Sequence, residues 1–372
     1  MISVLIGCNK TERPLSQIGF VTLPEGWIQP QVEYVNDVVH ILYYLGDAGG
    51  GDLFYTNYDV EKGNFAKSKR VNHQDSVAIA AGTIRGGQLA VATDGTVHVL
   101  WNGSGASAIR VNDSLRHTPL HYSRMLPGRS FEYERNLIDQ AWGLDGGSDI
   151  TVDEKGRVFV AWHGKGKQKG ENYRRVYMRS SEDGGQDFSK ERAVNDEEAG
   201  VCGCCGLHIN VDNANAPTII YRSATGGKSR DIRMLSLNPA GGVDDDHVVD
   251  KWELDACPMS SINSTVNADA LWLTWEKEGK IFYRGKETGL PIHSPQSQGE
   301  GAKHSKIVKS DSGYTLVCWT EGTGWNRGGN LAWELTDPDG QVIESGKRER
   351  AIEVWDFPAV AYAGEGQFLI FH

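Results

Sequence analysis

The chain has 372 residues, including 45 glycines, 11 tryptophans and 13 tyrosines, and a formal net charge of −11. The acidic balance argues against a nucleic-acid binder, which normally shows a basic face, and no run of about 20 apolar residues offers a membrane-spanning helix. Abundant glycine and aromatics point to many short strands joined by tight turns.

Residues 5–8 read LIGC, which resembles a bacterial lipobox, where the cysteine is lipidated and becomes the mature N-terminus. The resemblance implies a lipid anchor at Cys8, a tether over residues 1–17, and export to the periplasm or cell surface of a bacterium. Export makes disulfides available.

From residue 18 to 372 a single domain is expected, built on a pattern that recurs seven times: an alternating strand, a polar turn, and a second strand ending in an aromatic. The copies are PQVEYVNDVVHILYYLG from Pro30, QLAVATDGTVHVLWNG from Gln88, SDITVDEKGRVFVAWHG from Ser148 and LHINVDNANAPTIIYRS from Leu207. They continue with INSTVNADALWLTWEKE from Ile262, SKIVKSDSGYTLVCWTEG from Ser305 and PAVAYAGEGQFLIFH from Pro358. Each reads as a hairpin, because its turn holds Asp, Asn or Gly. Most are followed by a third strand, such as RRVYMRSS or KIFYRG, and a weaker fourth. Seven such units at this spacing make an all-β chain, a β-propeller of seven four-stranded blades. Six blades with a decorated edge is the alternative. The last copy stops after two strands, so IGFVTLPEGW (Ile18 to Trp27) is expected to supply its outer strand and close the ring from both termini. Closure removes two free edges.

Residues 181–188, SEDGGQDF, resemble the Asp-box of the sialidase (neuraminidase) superfamily and other BNR-repeat propellers. Ser181 and Asp183 can hydrogen-bond the turn's own backbone, Gly185 can take positive φ, and Phe188 can plug the blade core. VCGCC, YRS, RDIRMLSL and ACPMSS together resemble a bacterial sialidase-like branch carrying a CxCC motif. The resemblance implies an exo-acting glycosidase on an acidic sugar, with arginines on the substrate carboxylate. The nearest match to the family's Arg-Ile-Pro-like element is Arg13-Pro14, inside the tether.

In a propeller the loops into the innermost strands and out of the second strands share one face, above the central channel. This places Arg222, Arg230 and Arg284 as candidates for an anionic group, since a guanidinium fork suits carboxylate or sulfate. Lys165, Trp142 and Trp355 join them, the tryptophans as sugar platforms. His163, Asp149, Asp356 and Asp231 are candidates for proton transfer. The expected partner is therefore a glycan or other anionic small molecule, bound by a monomer.

The same face receives Cys202, Cys204, Cys205 and Cys257. In an extended strand Cys202 and Cys204 would share one side and Cys205 the other. Three readings stand open: a cross-blade disulfide, a thiolate site for copper or zinc, or reactive thiols. The cluster keeps a second function open beside the glycosidase, that of a metal-handling or purely binding propeller.

Overall fold

The structure is a computed structural model. It describes residues 17–109, 118–141, 143–212, 214–239, 241–267 and 270–372. Cys8 and Trp142 lie outside the described residues.

Seven sheets follow one another around an axis, so the chain is a seven-bladed β-propeller. The innermost strands are Ile28–Val35, Gln88–Val91, Ser148–Val152, His208–Val211, Ile262–Asn267, Ala302–Lys309 and Ala359–Tyr362. Each pairs antiparallel with the next strand in sequence. Blades 1, 2, 3, 4 and 6 reach four strand positions. In blade 1 the fourth is shared by Asn64–Phe65 and Lys69–Arg70. Blade 5 has three strands, with a lone Tyr283–His293 bridge beyond them.

The aromatic that closes each repeat explains why the pattern folds. Tyr44, Trp101, Trp162, Tyr221, Trp275, Trp319 and Phe371 come from the seven second strands, and all are fully buried. Burying one such side chain is worth roughly 1.5–3 kcal/mol, and here the gain recurs at every step around the ring. The core is accordingly divided into seven seams, one between each pair of neighbouring blades.

Gln17–Val21 joins blade 7, pairing with Gln367–Phe371. It lies directly against the second strand and runs parallel to it, making this a three-stranded blade. Phe20 meets Trp333 of blade 6 edge-on at 4.8 Å between ring centroids, and Val21 and Leu23 enter the seam with blade 1.

Candidate functional site

The innermost strands enclose an axial cavity of about 410 Å³. Its wall is polar and stitched from blade to blade. The Val91 N–H donates to Glu33 Oε2 (2.8 Å), the Ile209 N–H to Asp149 Oδ2 (2.8 Å), and the Ile307 N–H to Asn263 Oδ1 (3.2 Å). These bonds join blades 1 to 2, 3 to 4 and 5 to 6. His208 links blades 4 and 5: Asn263 Nδ2 donates to its Nε2 at 3.1 Å, leaving Nδ1–H to donate to Ser264 Oγ at 2.9 Å. Burial holds Asp149 up at about 7 and Lys306 down at about 8.

At the mouth, where the innermost strands begin, a smaller rim cavity of about 80 Å³ lies among the loops of blades 2, 5, 6 and 7. Its wall includes Trp325, Arg327, Trp355, Asp356, Lys303 and His304. Trp325 is 66% exposed and stands edge-on to Trp355 at 4.6 Å. Arg327 is exposed, and no carboxylate among the described residues forms an ion pair with it. Trp355 has φ +65°, and its carbonyl accepts from Gln29 Nε2 at 2.7 Å. Asp356 Oδ1 accepts the Gln29 N–H at 2.6 Å, and burial pushes its carboxyl up to about 7. Burial also keeps His304 neutral, down at about 3.

Also at the mouth, VCGCC forms a turn, with the Cys205 N–H donating to the Cys202 carbonyl at 3.2 Å. The expected extended geometry is therefore corrected. The turn brings Cys202 and Cys205 to the same side, with Sγ atoms 3.0 Å apart. Cys204 is bonded to Cys257, which clips blade 4 to the loop leading into blade 5. The disulfide occupies two of the four sulfurs proposed as metal ligands; Cys202, Cys204 and Cys205 keep their sulfurs within 4.8 Å of one another. Gly203 has a specific role, since a Cβ there would lie 2.7 Å from Arg174 Nε.

Arg222 does not face a ligand. It is fully buried, and its nitrogens donate to Ser260 Oγ (3.0 Å), the Arg230 carbonyl (2.6 Å) and the Glu276 carbonyl (2.6 Å). Arg230 pairs with Glu171 Oε2 at 2.8 Å. Arg284 donates to the carbonyls of Gly285 and Glu287, at the end of its strand away from the mouth. The three arginines thus form no common anion fork. His163 is corrected too: it sits in the blade interior, with neither ring nitrogen hydrogen-bonded, and burial holds it neutral at about 3. Asp231 accepts the Trp252 N–H and the Ser229 hydroxyl, as a loop-fixing carboxylate does. Lys165 lays its methylene stem over Gly143.

In the 181–188 turn, Asp183 Oδ1 accepts from Ser181 Oγ and from the N–H groups of Gln186 and Asp187. Gly185 has φ +81°, and Phe188 packs edge-on to Tyr122 at 5.0 Å. Of the residues singled out in the sequence, Trp355 and Asp356 come together in the rim cavity. Trp325 and Arg327 were missed there. Their signal was a tryptophan in a glycine-rich polar turn, GTGWNRGG, where no core awaits it.

No protein-family model matches the chain, and no curated protein does. Solved structures do resemble it. The Hadza microbial sialidase Hz136 is 11% identical, with a TM-score of 0.51 over 87% of this chain and 74% of its own. An ulvan lyase bound to GlcA(1-4)Rha3S is 10% identical, with a TM-score of 0.53 over 94% and 86%. The Fusarium graminearum alpha-L-arabinofuranosidase arb93a, in complex with an iminosugar inhibitor, is 8% identical, with a TM-score of 0.54 over 86% and 95%. At these identities the likeness is one of fold.

Proposed function

We propose that this propeller binds an acidic glycan at its mouth and cleaves a terminal sugar from it, as an exo-acting, sialidase-like glycosidase. The observation that carries the reading is the rim cavity, where two tryptophans, a guanidinium with no ion-pair partner among the described residues and a buried carboxyl raised to about 7 meet. An exposed tryptophan offers an apolar face for a sugar ring. Arg327 can take a carboxylate or sulfate through two parallel N–H bonds. Asp356, held at about 7, still carries a proton near neutral pH and can pass it to a leaving oxygen. That a sialidase, a polysaccharide lyase and an arabinofuranosidase share the ring supports a carbohydrate ligand. In this reading the chain is exported, with Cys8 as its lipid attachment point, and the Cys204–Cys257 bond fits an oxidising compartment.

The test is a panel of sialosides, uronosides and sulfated oligosaccharides, with products weighed by mass spectrometry. Release of a terminal acidic sugar is expected. Asp356→Asn should lower the rate by at least about 100-fold, the usual worth of a positioned acid. If no glycan in the panel is cleaved or retained, the reading fails.

A further inference from the structure

The cysteine turn is absorbed by neither the fold nor the glycan reading. Three features set it apart from an ordinary structural disulfide. First, a disulfide and two thiols lie in contact: Cys202 Sγ is 3.5 Å from the bonded Cys204 Sγ and 3.0 Å from Cys205 Sγ. Second, Cys202 and Cys205 have the Cys-x-x-Cys spacing and already face one another across a turn, a spacing used for reversible dithiols. Third, three guanidinium groups border the turn, one of them, Arg230, paired with Glu171, which also accepts the Gly203 N–H at 3.2 Å. Arg174 is buried over Gly203, Arg230 lies at the loop's edge, and Arg222 Nε donates to Ser260 Oγ, itself 3.9 Å from Cys205 Sγ.

Two of those guanidinium groups carry a buried N–H with no hydrogen-bond partner among the described residues, Arg174 Nε and Arg230 Nη1. A buried orphan donor is costly, and a thiolate beside it would offset that cost. The electrostatics agree. The hydrogen bond to Cys205, together with burial, holds Cys202 protonated. Burial raises Cys205 as well, but its bond to Cys202 and the charge of Arg222 outweigh it, so Cys205 is the more acidic of the pair.

We propose that Cys202, Cys204, Cys205 and Cys257 form a thiol–disulfide exchange site, with buried Cys202 and Cys205 as the reserve and exposed Cys257 as the port for small external disulfides. The thiolate of Cys205 takes the proton of Cys202 across their hydrogen bond. Cys202 then attacks Cys204 Sγ; the new Cys202–Cys204 bond forms as the Cys204–Cys257 bond breaks, and Cys257 leaves as a thiolate that solvent protonates. Cys205 next attacks Cys202, and Cys204 leaves. The net change moves one disulfide from Cys204–Cys257 to Cys202–Cys205; the single proton of the Cys202–Cys205 pair passes from Cys205 to Cys204, solvent supplies the one on Cys257, and no oxidant or reductant is needed. The freed Cys204 and Cys257 can then reduce one external disulfide RSSR to two RSH and re-form their own bond. Cys257 is exposed and Cys202 and Cys205 are fully buried, so an outside reagent reaches the reserve only through this relay. The site is independent of the glycan reading.

The experiment is thiol trapping of the intact protein. The chain is held anaerobically at neutral pH, quenched in acid, alkylated with N-ethylmaleimide, digested and mapped by mass spectrometry. Two populations are expected, one bonded 204–257 and one bonded 202–205 with Cys204 and Cys257 alkylated. Oxidised glutathione should yield both bonds and release two glutathione molecules per chain. Cys202→Ala should show the 204–257 bond alone, and Cys205→Ala, which lacks the base that takes the Cys202 proton, should keep the 204–257 bond at neutral pH with Cys257 unalkylated. Melting curves establish that each variant folds, and the wild-type mapping needs no variant. The proposal is overturned if wild-type Cys257 is never alkylated and Cys202 and Cys205 stay reduced under oxidised glutathione. Equally, zinc or copper bound stoichiometrically, masking all four sulfurs until chelated, would show a metal site instead.

Discussion

Two side chains near the mouth show how a residue's role follows from its partners. Arg222 gives its guanidinium to one hydroxyl and two carbonyls from three places in the chain. Lysine cannot span that set, since it presents a point charge rather than a planar fork. Replacing Arg222 with Ala strands all three acceptors in the interior and should cost at least about 3 kcal/mol, each orphaned group costing roughly 1–3. A urea melt reads this directly, and a wild-type midpoint would refute the anchoring role. Trp325 is the converse, two-thirds exposed and touching chiefly Trp355. Trp325→Ala should leave the melt within about 0.5 kcal/mol of wild type. It should also weaken retention on an acidic glycan at least about tenfold, roughly 1.4 kcal/mol. If binding is unchanged in that variant, the rim cavity is not the glycan site.

Among the elements, the strand Gln17–Val21 holds the ring shut, and its contribution is concentrated in one ring. Phe20 packs against Trp333, and the guanidinium carbon of Arg348 lies 3.7 Å from its centroid. Phe20 is half-buried, so Phe20→Ala should cost about 2 kcal/mol, below the 3–5 of a fully buried phenylalanine. Differential scanning calorimetry would show it, together with earlier proteolysis at the N-terminus; an unshifted melt would mean closure does not depend on this strand. Its attachment to the last repeat was legible in advance, because the seventh copy stops after two strands and leaves the blade to be finished from the other terminus. Its parallel direction and its place beside the second strand were not. The repeats themselves were legible to the residue at Gln88, Ser148 and Ile262, because a period of two ending in a buried aromatic is a long-range signal carried locally. The outermost strands were not, for Arg135–Asn136 and Arg192–Ala193 are two residues long and have no period. The cysteine turn was misread as extended. It is shaped by Arg174 lying on Gly203 from about 30 residues away, a contact local pattern does not carry. The rim cavity was half legible for a related reason: Trp355 and Asp356 precede an innermost strand, whereas Arg222 looked equally available until its carbonyl partners were known.

For the molecule as a whole, division of the core into seven seams leaves the axis to be held by polar bonds, and that choice sets how stability responds to pH. Asp149 and Asp356 each accept a backbone N–H from the next blade, and burial raises both to about 7; Glu33 does the same and is raised to about 8, keeping part of its surface on the channel. A carboxyl whose pKa is higher folded than unfolded contributes stability that is complete below about 4 and is lost as pH rises through the folded value. Buried His98, His163 and His304, and His208 on the channel wall, work in the other direction. All are depressed to about 3, so their contribution is complete above about 6.5 and is lost as pH falls toward 3. Between about 4.5 and 6.5 the two sets oppose, and stability should rise only gently with pH. Above 6.5 the histidines are neutral in both states, and only the carboxyls of these groups still change. The melting temperature should therefore fall between pH 6.5 and 8, with a slope of up to about 1.4 kcal/mol per pH unit for each carboxyl still protonated in the fold. Glu33→Gln with Asp149→Asn keeps both acceptors for the Val91 and Ile209 N–H groups and removes both titrations. Melting curves across pH 5 to 8 should show that limb flattened in the double variant, with no change in the acid limb below about 4.5. An equal fall in wild type and variant would mean that the bonds around the channel do not govern the pH response of the ring.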